Sequence, residues 1–136
     1  MTDKTPLEIV DILADALQSG DNKRFIDQFD EEAVFEQPFR SDPNSRLAGL
    51  AAIQQMYGKS NPMRQKIQID RVNTTIYEGK DDNMLMVAFT IEGKNIAVQE
   101  LFSINSSVCI ILFKNGKIIR YKDYPNSAGF MAVVGG

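Results

Sequence analysis

From Ile67 onward apolar residues recur at every second position, whereas upstream of Gly58 they recur at every third and fourth. A single change of period along the chain orders its layers, helices first and strands after, and argues against an alternating βαβ arrangement. The helical half is punctuated. Thr5-Pro6-Leu7-Glu8 combines a capping residue, a proline suited to the first helical position and the glutamate of a capping box. Ile9, Val10, Leu13, Ala16 and Leu17 then keep helical spacing until Gly20 stops the run. A second short helix starts at Asp21 or Asn22, with Phe25, Ile26 and Phe29 as its apolar face. An extended piece, Ala33-Val34-Phe35-Glu36-Gln37-Pro38, follows. Residues 40–46 are polar, carry Pro43 and read as a loop. Leu50 to Tyr57 makes a third helix, and Gly58 to Met63 a loop.

In the second half, strands are expected over 66–78, 84–92, 95–113 and 117–124. Turns are expected at Glu92-Gly93-Lys94-Asn95 and at Asn115-Gly116, the latter because both residues accept the positive φ of a type I′ hairpin. The stretch 95–113 is too long for an ordinary strand, and Asn105-Ser106-Ser107 is the expected bulge or break. The period leaves open which face of this stretch points inward. The expected architecture is a single α+β domain over residues 1–136, with an antiparallel meander packed against three N-terminal helices.

Composition narrows the chemistry. The chain has no histidine and one cysteine, Cys109. This excludes a His-based triad, a His metal ligand, an imidazole base, an intrachain disulfide and a Cys-rich zinc site. Acid–base work falls to Asp, Glu, Lys, Tyr or Cys109. Net charge is −3 with the signs interspersed, and no basic stripe invites nucleic acid. No apolar run approaches the ~20 residues of a membrane span, and Met1 to Pro6 lacks the pattern of a signal peptide. A cytoplasmic protein without cofactor, metal, membrane or nucleic-acid partner is expected.

The last strand carries the leading candidate. Ile119, Tyr121 and Asp123 share one face by alternation, and Ile118, Arg120, Lys122 and Tyr124 share the other, which carries two cations and reads as wet. The first face is apolar until it ends in a carboxylate. Burial raises the pKa of such an acid by desolvation and makes it a usable base. The competing account is a structural Asp that hydrogen-bonds a neighbouring tyrosine or backbone group.

Four segments together resemble the nuclear transport factor 2-like superfamily, in its SnoaL-like, ketosteroid isomerase and limonene epoxide hydrolase branch. They are Gly20-Asp21, Asp30 to Pro38, Gly49-Leu50-Ala51-Ala52-Ile53, and Asn115-Gly116-Lys117-Ile118 leading to Lys122-Asp123-Tyr124. The resemblance implies a cone-shaped curved sheet, an apolar pocket and a homodimer through the outer face of the sheet. It does not by itself imply an activity. Ketosteroid isomerase resemblance fails at the chemistry, since its base and its two oxyanion donors fall on Gln37, Leu13 and Cys109. Limonene epoxide hydrolase resemblance places a water-activating base on Asp123 and a helping amide on Gln37. That enzyme's Arg and acid Asp have no counterpart in Asn83-Met84-Leu85-Met86-Val87. SnoaL-like cyclases need only one carboxylate to remove a proton from an acidic carbon, which Asp123 supplies.

The resulting expectation is an apolar small-molecule ligand, with Asp123 as base in an isomerase, cyclase or hydrolase. Gln37, Tyr121 and Tyr57 would contact the ligand as polar groups, and Phe35, Leu13, Cys109 and Met86 would line the pocket. The alternative is a non-catalytic binding or association module of the same fold. Glu36 and Gln37 alternate, so only one of them points inward. Cys109, within Val108-Cys109-Ile110-Ile111, reads as a buried, inert thiol, and Asp81-Asp82 as a solvated turn.

Overall fold

The computed structural model describes residues 3–59 and 62–135. Residues 60 and 61, inside the expected 58–63 loop, lie outside that set. The helical half follows its local signals. Helix α1 spans Pro6–Ser19, with the Thr5 side chain accepting from the Glu8 amide and Glu8 returning the bond to the Thr5 amide. It ends at Gly20, whose φ of 76° only glycine adopts readily. Arg64 then donates to the terminal carbonyls of Leu17 and Gln18, at 2.5 and 2.6 Å. Helix α2 spans Asn22–Ile26, capped by Asp21, and α3 spans Leu50–Tyr57.

Strands β1 (Phe29–Glu36), β2 (Arg46–Ala48), β3 (Ile67–Glu78), β4 (Met84–Asn95), β5 (Leu101–Lys114) and β6 (Lys117–Pro125) form one curved, open sheet in the order β2-β1-β6-β5-β4-β3. The sheet is mixed: β1 runs parallel to β6, although all other neighbours are antiparallel. The antiparallel meander expected from the sequence therefore covers β3 to β6 only. The parallel pair joins segments more than 80 residues apart, which no local pattern announces. The short β2 replaces part of the expected 40–46 loop, after a 3₁₀ turn at Pro43–Ser45.

Three features of the sheet depart from simple alternation. The Asn115-Gly116 turn forms as expected, with φ of 51° and 75° between the paired Lys114 and Lys117. The expected turn at 92–95 does not form. Gly93 lies inside β4, where a β-carbon would sit 1.9 Å from the Gln68 carbonyl oxygen as β3 bulges past it. Here glycine serves close backbone approach, the other use of the same residue. The chain reverses over residues 96–100, where the Asn95 side chain accepts from the Ala97 and Val98 amides. In β5 the expected irregularity at 105–107 is a bulge at Ser106. Phe89 pairs with Ser107 and Thr90 with Asn105, and the buried Ser106 hydroxyl donates to the Phe89 carbonyl. The bulge switches the inward set from Phe102 and Ile104 to Cys109, Ile111 and Phe113. A further bulge at Ile119 corrects the expected faces of β6: Ile118 is fully buried, and Tyr121 and Asp123 also face inward.

The concave face holds the core. Leu13, Val87, Phe89, Ile111 and Ile118 are buried there with α1 laid across β3 and β4. A fourth helix, α4 (Ser127–Val134), was not expected and packs on β5. Asn126 fastens its start: its amide nitrogen donates to the Asn105 carbonyl, its backbone N–H to the Ser106 carbonyl, and its side-chain oxygen accepts from Gly129. Among the described residues no helix is long and apolar enough to cross a membrane.

Candidate functional site

Between α2, α3, α4 and the concave wall of β1, β5 and β6 lies a cavity of about 520 Å³. Its lining is mostly apolar and aromatic, with Phe25, Phe35, Ile53, Met56 and Phe130 among the contributors. A second hollow of about 690 Å³ adjoins it, sharing Leu17, Gln37 and Phe130, and adds Phe39, Arg40 and Arg64. Helix α4, through Phe130, thus walls both spaces. Its signal was present in the sequence as Asn126, a capping residue, ahead of the apolar Ala128, Phe130, Met131 and Val133.

Asp123 lies in the wall of the inner cavity. The alternation of β6 beyond the Ile119 bulge points it inward, beside Cys109 of β5 with which it is paired in register. Gln37, two residues before Phe39 on the chain leaving β1, donates its amide Nε2 to Asp123 Oδ2 at 2.9 Å. Its Oε1 accepts from Arg40 Nη1 at 3.2 Å, and Arg40 Nε donates to Asp42 at 2.6 Å. This settles the orientation of the amide, because the carboxylate can only accept and the guanidinium can only donate. Glu36 points the other way, to Arg120 on the convex face at 2.8 Å.

The second oxygen of Asp123 meets the Cys109 thiol at 3.4 Å, and Cys109 Sγ lies 3.2 Å from the Tyr121 hydroxyl. The thiol has one proton and three partners, the third being the Ser107 hydroxyl at 3.7 Å. With Asp123 ionised, that proton points to the carboxylate and the Tyr121 hydroxyl gives its own to sulfur. Tyr121 is buried, stacked on Phe35 with ring centroids 5.0 Å apart.

Burial in this apolar wall raises the Asp123 pKa above the usual carboxylate value, and the bonds from Gln37 and Cys109 offset only part of the rise. No lysine or arginine among the described residues forms an ion pair with it. Desolvation, reinforced by the Asp123 charge, raises Cys109 far out of the range of a reactive thiol, so it is a positioning group here and not a nucleophile. Burial likewise holds Tyr121 well above a normal phenol.

The structure brings Asp123, Gln37, Tyr121, Tyr57 and Phe35 to one cavity. Cys109 stands behind the wall, touching it through Asp123. Leu13 does not reach the cavity; it is fully buried in the core beneath α1. Met86 is 41% exposed on the convex face, because β4 alternates and Leu85, Val87 and Phe89 take the inward positions. Asp81 accepts from the Asn83 amide in an ordinary surface turn.

Comparison with known proteins gives three relatives of note, and no family model matches the chain. An uncharacterised Bacillus subtilis protein, YesE, is 30% identical over 118 residues, which is 85% of this chain and 78% of YesE. A solved structure of a candidate isomerase from Bacillus subtilis superposes with a TM-score of 0.74 at 26% identity, covering 96% of this chain and 92% of that one. A candidate polyketide cyclase from Pseudomonas putida KT2440 superposes with a TM-score of 0.70 at 18% identity, covering 96% and 98%.

Proposed function

The chain belongs to the nuclear transport factor 2-like superfamily, in the family of Bacillus subtilis YesE and among SnoaL-like folds, and from that premise we propose that its cone binds a mostly apolar small molecule bearing a carbonyl and that Asp123 acts on it as general base. One observation carries the reading. A carboxylate with a raised pKa and no cationic partner among the described residues stands in the wall of an apolar cavity of about 520 Å³. A core has no use for such a group, whereas a proton-abstracting site needs one. The cavity is of the size that takes a small ligand. An association module would favour a filled cone with the carboxylate at the surface.

In this reading the base removes a proton from a carbon beside the carbonyl, as an isomerase or cyclase requires. Gln37 fixes one carboxylate oxygen and Cys109 the other, so the lone pair that faces the cavity has a set direction. Arg40 holds Gln37 from behind. Hydrolysis by water activation uses the same carboxylate but needs an acid for the leaving oxygen, and the segment 83–87 supplies none. The same proposal includes a cytoplasmic homodimer formed through the convex face, where Tyr77, Met86 and Val108 are 57, 41 and 40% exposed.

The test is deuterium wash-in. Aryl-fused ketones and 1,3-diketones are incubated with the protein in D₂O, and exchange at the α-carbon is followed by NMR. Wild type is expected to exceed buffer, and Asp123→Asn to lose about 100-fold or more of that excess. Exchange that survives intact in the variant removes Asp123 as the base.

A further inference from the structure

The outer hollow differs from the inner cavity in charge. Two guanidinium groups, Arg40 and Arg64, stand in its wall and no carboxylate does, whereas the inner cavity holds Asp123. The two arginines are not alike. Arg40 has its counter-ion, since Nε donates to Asp42 and Nη1 to Gln37. Arg64 has none: among the described residues no carboxylate pairs with it. It donates instead to the carbonyls of Leu17 and Gln18, which offer only the partial negative charge of a helix C-terminus. The cation is thus hydrogen-bonded without being neutralised, and burial draws its pKa below the usual guanidinium value. Its plane is held close to the backbone, because a β-carbon at Gly20 would lie 3.4 Å from Nη2. The two carbonyls occupy two of the five N–H donors of an arginine, which leaves donors for an anion. Between Arg64 and the inner cavity the lining is largely apolar, with Leu17, Ile67, Ile69 and Ile91.

We propose that the outer hollow is a carboxylate subsite with Arg64 as counter-ion, and that the ligand of the cone is an apolar ring system carrying a carboxylate at one end. The inference rests on the pocket reading given above. The two spaces meet at Gln37 and Phe130, which line both, so one ligand can extend from one into the other. Charge sets its direction. An anionic end is repelled by Asp123 and drawn to Arg64, and the reversed placement is unfavourable on both counts. The planar guanidinium suits a carboxylate better than an ammonium would, because it presents its donors in a fixed fork. Anchoring the anion at Arg64 leaves the neutral end of the ligand at Asp123. A neutral ligand of the same shape fills the same space but leaves Arg64 uncompensated, so the subsite selects acids over their amides.

The probes are 2-naphthylacetate and 2-naphthylacetamide, which share a shape and differ in charge. Binding is read at neutral pH by naphthyl fluorescence for wild type, Arg64→Gln and Arg64→Lys. Wild type is expected to bind the acid about tenfold tighter than the amide. Arg64→Gln should abolish that preference by weakening the acid alone, and Arg64→Lys should keep about threefold of it, having the charge without the fork. A salt series on wild type needs no variant to fold: raising sodium chloride from about 20 to about 300 mM should weaken the acid about threefold and leave the amide unchanged. Equal affinity of wild type for the two probes, or an equal response of both to salt, overturns the subsite and leaves the pocket reading standing. An Arg64→Gln variant that keeps the preference for the acid overturns Arg64 as the counter-ion. One that weakens both probes equally overturns it as well, since Arg64 would then act only by holding the end of α1. If neither probe binds wild type, the pocket reading falls and the subsite with it.

Discussion

Asp123→Asn should stabilise the free protein at neutral pH, and the gain should disappear in acid. Asn is isosteric, keeps an oxygen for the Gln37 amide and presents an NH₂ to Cys109 Sγ, which accepts weakly. The substitution thus removes the buried charge while leaving the contacts in place. Because the folded-state pKa of Asp123 lies above its unfolded value, the native state holds the proton more tightly. Relative stability is then full below the unfolded value of about 3.9 and is lost as pH rises through the folded pKa. Within that window the wild type loses up to about 1.4 kcal/mol per pH unit relative to the variant, the limit for one proton. At pH 7 the variant should be more stable by about 1–2 kcal/mol, the scale for relieving one imperfectly compensated buried polar group. For a chain of this size that is a Tm increase of roughly 3–8 °C. Urea titrations of both proteins from pH 3.5 to 8 measure the difference directly, and the other carboxylates cancel in it. A gap that stays constant across this range, or a variant less stable at pH 7, would refute the assignment of Asp123 as a desolvated, unpaired carboxyl.

Leu13→Ala removes a fully buried side chain from the inner face of α1 and should cost about 2–5 kcal/mol in urea melts while leaving the α-carbon exchange rate per folded molecule unchanged, because Leu13 does not line the cavity. Arg64→Met should cost about 1 kcal/mol by freeing the carbonyls of Leu17 and Gln18, and hydrogen exchange should quicken in the last turn of α1 before it does elsewhere.

Features legible in the sequence are those whose cause lies within a few residues. The Thr5–Glu8 box, the positive φ of Gly20 and the Asn115-Gly116 turn each form where the residues ask for them, as does α3 at Leu50–Tyr57. Gly93 shows the limit of that reading, since a glycine that admits a turn also admits a bulging neighbour, and only the register of β3 against β4 selects between them. Met86 was misassigned for a related reason: a run of apolar residues such as Met84 to Val87 does not say which alternate set is covered. The outer set stays exposed here because the helices occupy one face only.

By itself the sequence determined helices α1 to α3 and the run of strands β3 to β6, the placement of the acid at the end of an inward-facing strand, and the absence of histidine chemistry. Only the tertiary structure decided what surrounds that acid. Gln37 and Asp123 are 86 residues apart, and their contact depends on β1 lying parallel beside β6. Single bulges at Ser106 and Ile119 set which side chains of β5 and β6 face the cone, because one added residue inverts the faces of a strand.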